Sequence, residues 1–124
     1  MYRLFAYADS SELDQTERDL QAAFESFVHS WPVGGARVTN RKAPLMEGQE
    51  RPDWNLGMRV EADRLERENV EALLSFLSEL SRKVNLPFVV GTWDRASNTR
   101  DLCFVDRHVP DGAVGLVLEG SHAV

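Results

Sequence analysis

Two segments of the chain carry apolar side chains at the spacing of a helix with one buried face. The first spans residues 13–31, where apolar positions recur three and four residues apart. Ser11 and Asp14 resemble a capping box, so the pattern predicts that this helix begins at Ser11. Pro32 disfavours helical geometry in the residue before it, which predicts an end near Ser30.

The second helical segment spans residues 65–84 and has a longer apolar stripe. Asp63 and Glu66 form a second pair that resembles a capping box, and they indicate where this helix begins. Asn85 suits the left-handed position that ends many helices, and Pro87 prevents continuation. The sequence therefore predicts a helix that ends within two residues of Val84.

The remaining apolar segments are short, alternate with polar residues or stop at turn residues, and indicate strands. These segments are residues 2–8, 36–42, 54–60, 88–93, 102–105 and 113–118. Residues 88–93 and 102–105 fit a hairpin with a polar connection. Two prolines and a glycine predict a mobile loop at 43–53, and a frayed, disordered tail is expected at 119–124.

The order of these elements predicts one α+β domain over residues 1–124. Two amphipathic helices and four or five strands favour two helices packed on one face of a mainly antiparallel sheet. The order βαββαβ is that of a ferredoxin-like sandwich, with the first and third strands central and one sheet face open. Phe5 and Tyr7 stand on that open face if Leu4 and Ala6 face the helices, and are buried in the opposite register.

Composition narrows the classes of partner. The formal net charge is -6, which opposes the electrostatic attraction on which most nucleic-acid binders depend, so no nucleic acid is expected. No apolar run approaches the length of about 20 residues that a membrane helix needs, and the first residues do not form a signal peptide. We therefore predict a cytoplasmic protein without a membrane partner.

Charge is unevenly distributed along the chain. Residues 9–31 hold six acidic residues and one arginine, whereas residues 32–60 hold five basic and three acidic residues. Helix faces that contact water are the common reason for acidic runs, but opposite charges also steer proteins to each other. The candidate partner-binding residues are Glu12, Glu17, Asp19, Glu25, Arg37, Arg41 and Arg59.

Candidate catalytic groups are sparse. His29, His108 and His122 match no zinc-binding spacing, and no metal or cofactor is expected. Cys103 lies in an apolar run, where burial suppresses thiol reactivity. A pair of carboxylates leaves almost no sequence signature, so an enzyme of that type stays a third hypothesis.

The leading hypothesis is a small acidic protein-binding module, for example a bacterial immunity protein that neutralises a toxin with a basic surface. The alternative is a ferredoxin-like sensor domain that binds a small ligand at the open sheet face or at a dimer seam. A homodimer is a further hypothesis, because residues 36–42 have the composition of an edge strand that could pair with a second copy.

Overall fold

The computed structural model describes residues 1–43, 47–48 and 53–122. Most of the predicted loop at 43–53 and the last two residues of the predicted tail lie outside these ranges. No helix within them is long and apolar enough to cross a membrane. The elements are β1 (Tyr2–Ala8), α1 (Glu17–Ser30), β2 (Ala36–Lys42), β3 (Trp54–Ala62), α2 (Arg67–Val84), β4 (Phe88–Trp93), β5 (Thr99–Val105) and α3 (Ala113–Ser121).

The five strands form one sheet in the order β2-β3-β1-β4-β5, and all neighbours are antiparallel. The predicted α+β class is confirmed, and β1 and β3 lie side by side as expected. The order differs from the standard four-stranded ferredoxin-like sheet, because β5 extends the sheet beyond β4. A third helix, which the sequence did not indicate, adds to the two predicted ones.

The hydrophobic core lies between the helices and one face of the sheet. Leu4, Ala6 and Ala8 of β1 are buried in it, as are alternate residues of β3. Phe24 of α1 lies at its centre and packs edge-on against Phe76 of α2. The alternation along β1 therefore directs its aliphatic residues toward the helices.

Helix α1 begins later than predicted. The pair Ser11 and Asp14 does not cap it, and its first residue is Glu17. The hydroxyl of Ser10 instead accepts a hydrogen bond of 3.0 Å from the amide of Glu12, which holds the chain in a local turn before the helix. The predicted C-terminal end of α1 is correct.

Helix α2 is capped by a different pair from the predicted one. Glu66 is the N-cap, and it exchanges capping hydrogen bonds with Asn69, whereas Asp63 is not involved. At the other end Asn85 has the left-handed conformation with φ of 57°, as predicted from its side chain.

The segment 113–118 is not a strand, and the sequence prediction was wrong there. It belongs to α3, which extends into the predicted tail. Ala113, Val117 and Ser121 are buried at a spacing of four residues, which is the period of a helix. A short run that is almost wholly apolar fits the period of a helix as well as that of a strand. The hydrophobic pattern therefore could not distinguish the two for this segment.

Candidate binding face of the sheet

The face of the sheet opposite the helices carries a row of side chains from neighbouring strands. Phe5 of β1 lies opposite Arg59 of β3 and Gly91 of β4, and Arg59 in turn lies opposite Arg37 of β2. Arg41 is on the same face of β2, because it is separated from Arg37 by an even number of residues. We call Arg37, Arg41, Arg59, Tyr7 and Trp93 the arginine face.

Phe5 and Tyr7 are buried although no helix covers them. Their rings are stacked with centroids 4.8 Å apart, and only 4% of Phe5 and 9% of Tyr7 remain exposed. Gly91 makes room for this packing, because a Cβ at that position would overlap the Phe5 ring. The two rings thus point away from the helices, and they form a hydrophobic floor for this side of the sheet.

The three arginines act on the phenol of Tyr7. Burial raises the pKa of Tyr7 above its ordinary value of 10.0, while the positive charges of Arg59, Arg41 and Arg37 lower it by a smaller amount. The phenol therefore stays protonated at neutral pH and can donate a hydrogen bond.

Arg59 is the most constrained of these arginines. Its guanidinium carbon lies 4.1 Å from the centroid of the Trp93 ring, a cation–π contact. Its Nε atom is buried and has no hydrogen-bond partner among the described residues. A buried donor without a partner is costly, so a ligand atom that reached this nitrogen would remove an existing penalty.

Arg37 and Arg41 are exposed, and within residues 1–43, 47–48 and 53–122 neither has a carboxylate within 4.0 Å. Other basic residues do have acidic neighbours. For example, Arg3 lies 3.6 Å from Glu61. Like charges directly opposite each other across two strands are destabilising, and Arg37 and Arg59 are such a pair. Among the described residues, therefore, no ion pair neutralises Arg37 or Arg41.

A shallow cavity of about 320 Å³ adjoins this cluster. Arg37, Arg59 and Trp93 form part of its lining, and so do the acidic residues Glu61 and Asp63. Guanidinium groups bind carboxylates and phosphates through two parallel hydrogen bonds, and the indole adds an apolar wall. The arrangement can therefore hold an anionic group next to an apolar one.

The predicted acidic residues lie on the other side of the sheet. Asn40 of β2 points toward α1 and donates a hydrogen bond of 2.8 Å to Glu17, and Gln21 donates one of 3.2 Å to Glu25. Asp19 is exposed on α1, and Glu12 is exposed before the helix begins. The sheet therefore separates the acidic residues of α1, namely Glu17, Asp19 and Glu25, from the three arginines on the opposite face, whereas Glu12 lies in the connection between β1 and α1.

Tyr7 and Trp93 were not among the predicted site residues. The alternation of β1 already placed Tyr7 on one face with Phe5, so that signal was present in the sequence. Trp93 shares a face with Gly91 on β4, but its contact with Arg59 depends on two strands that are not neighbours in the sheet. No local pattern could have joined them.

The other reactive side chains of the described residues lie apart from one another. Burial raises the pKa of the Cys103 thiol to about 11, which makes it a poor nucleophile at neutral pH. His122 packs edge-on against Tyr2, and His29 and His108 are exposed on separate elements. Among the residues described, no group of three or more histidine, cysteine or acidic side chains could hold a metal ion.

Comparison with known proteins identifies no relative. No protein-family model matches the chain, and neither the characterised proteins nor the solved structures contain a match. What the sheet face binds is therefore inferred from its own geometry and charge.

Proposed function

We propose that this chain is a binding module without catalytic activity, and that the arginine face binds an acidic segment of a partner protein. The observation that carries this proposal is a positive charge that no ion pair among the described residues neutralises. Arg37 and Arg59 lie directly opposite each other, and no carboxylate of the described residues pairs with either. Such an arrangement costs stability, and an acidic ligand would reverse that cost.

The composition of the face suits protein recognition. Arginine, tyrosine and tryptophan are the residues that most often contribute large binding energies at protein interfaces. Here Tyr7 is held by its stack on Phe5, and Arg59 by its contact with Trp93. Side chains that are ordered before binding lose less conformational entropy when the partner arrives.

The overall charge favours a protein over a nucleic acid as the partner. The formal net charge of -6 would repel a long polyanion even if its first contacts were with the arginines. A short acidic segment on a protein can approach the arginine face from the side away from α1. The acidic residues of α1 would then stay on the far side of the sheet.

We also infer that the architecture is a ferredoxin-like sandwich enlarged at its C-terminal end. The first six elements follow the order βαββαβ, and β1 and β3 are neighbours within the sheet. The addition of β5 and α3 would then be an extension of that unit. Proteins with this fold have many different functions. The fold therefore explains why one sheet face is open, but it does not favour any particular activity.

Charge reversal tests the proposed function. The probe is a short peptide of alternating glutamate and threonine. We expect the double variant Arg37→Glu/Arg41→Glu to bind this peptide with an affinity at least about tenfold lower than that of the unaltered protein. Fluorescence anisotropy at several salt concentrations measures the affinity. Binding by the unaltered protein should weaken as salt rises, because exposed charges are screened.

A matched control separates local contacts from net charge. The variant Arg18→Glu/Lys83→Glu changes the net charge equally, but it alters exposed residues of α1 and α2, which form no ion pair among the described residues. It should bind the peptide almost as well as the unaltered protein. Equal losses in both variants, or no binding by the unaltered protein, would count against the arginine face.

The outer surface of α1 is a second candidate interface. A shallow groove there is lined by residues that include Glu17, Gln21 and Glu25, and Asp19 is exposed on the same helix. This surface would suit a basic partner, as in an immunity protein that neutralises a basic toxin. The two candidates require partners of opposite charge, so a lysine peptide of matching design distinguishes them.

A further inference from the structure

We infer that the acidic segment binds as an added strand along β2, so that its acidic side chains face Arg37 and Arg41. This inference rests on the proposed function and specifies how the partner is recognised. Strand β2 forms one edge of the sheet. Its seven residues pair with β3 without interruption, whereas the pairing at the opposite edge shifts between Val90 and Gly91. A regular edge is the better template for another strand.

The hydrogen bonds at the two ends of the β2–β3 pairing show which backbone groups are directed outward. The amide of Glu61 donates to the carbonyl of Gly35 at 3.3 Å, and the amide of Ala43 donates to the carbonyl of Asp53 at 2.7 Å. In an antiparallel pair such bonds recur at every second residue. Odd-numbered residues of β2 therefore bond to β3, and the backbone groups of even-numbered residues point away from the sheet.

Two of these outward positions, Val38 and Asn40, lie in the middle of the strand between the arginines. An antiparallel segment would form its hydrogen bonds with them. The residues of the added segment that face Arg37 and Arg41 would then form no backbone hydrogen bonds with β2. At such non-hydrogen-bonded pairs the facing side chains of two antiparallel strands approach each other most closely. The preferred segment thus has acidic residues four positions apart, with the residue midway between them opposite Thr39.

A second copy of the chain is a poorer occupant of this edge. Antiparallel pairing of two β2 strands about Thr39 would place Arg37 of one copy opposite Arg41 of the other. Like charges in directly opposite positions are destabilising, so the charge of the edge favours an acidic segment over self-association.

Alternate N-methylation of the peptide tests this mode of binding. Methyl groups on the residues that face Val38 and Asn40 would remove the required donors, and we expect the affinity to fall about tenfold or more. Methyl groups on the glutamates that face the arginines should have little effect, because those amides point away from β2. A peptide with only two glutamates, four positions apart, should bind more tightly than a peptide in which the two glutamates are three positions apart.

Amide hydrogen exchange and sedimentation complete the test. The peptide should protect the amides of Val38 and Asn40, and the protein should stay monomeric. If both methylated peptides bind as tightly as the parent, strand addition is wrong while binding at the arginine face survives. If no acidic peptide binds, both proposals fail. The inference is overturned if the protein forms a concentration-dependent dimer without peptide and the amides of Val38 and Asn40 are protected in that dimer. A second copy of the chain would then occupy the edge.

Discussion

Replacement of Gly57 by alanine is expected to destabilise the protein severely. A Cβ atom at this position would overlap the carbonyl oxygen of Ala6 and lie 2.9 Å from the Cα atom of Tyr7. Both atoms belong to the backbone of β1, which is held between β3 and β4. Because β1 cannot move aside without breaking one of these pairings, we expect a loss of about 3 kcal/mol or more in the free energy of unfolding.

Urea denaturation followed by circular dichroism measures this change. Gly115→Ala is the matched control, because a Cβ there meets no atom within 4 Å and the residue lies within α3. That variant should be more stable than the unaltered protein by about 0.5–1 kcal/mol, since alanine favours a helix. A Gly57→Ala protein as stable as the unaltered one would show that β1 and β3 are not packed as described.

The variant Phe24→Ala is expected to lose about 3–5 kcal/mol of stability. Phe24 is completely buried, and its ring packs edge-on against Phe76 and Phe88, with centroids 5.3 and 6.0 Å away. These contacts join α1, α2 and β4, so their loss would leave a cavity at the point where three elements meet. Thermal and urea unfolding both report the effect.

Phe104→Ala provides the comparison for that variant. Phe104 is 52% exposed on β5, so removal of its ring should change the stability by less than about 1 kcal/mol. Similar losses in the two variants would contradict the assignment of the core to the helix side of the sheet.

The sequence was sufficient to predict the elements whose hydrophobic pattern is long or strictly periodic. Strands β2 and β4 have the predicted bounds, and both predicted helices end within two residues of the expected positions. It failed where a signal was short. The run at 113–118 fits helix and strand equally, and α1 begins later than predicted because Ser10 forms a turn of its own.

The arginine face shows a different limit of sequence analysis. Arg37, Arg41 and Arg59 were identified as a basic region, but the opposition of Arg37 and Arg59 follows only from the pairing of β2 with β3. The burial of Tyr7 depends on its packing within a sheet whose central strands are distant in sequence. The face on which a residue of a strand lies follows from the local sequence. Which strands pair with each other depends on the fold of the whole chain.

Amide-resolved NMR during titration with the glutamate–threonine peptide tests the central claim most directly. We expect the largest shifts on β2, at Arg37 and Arg41 and at the amides of Val38 and Asn40 between them, with smaller shifts at Arg59 and little change on α1. Shifts concentrated on α1 at Asp19 and Glu25, with the arginine face unaffected, would contradict the claim that this face is the binding surface.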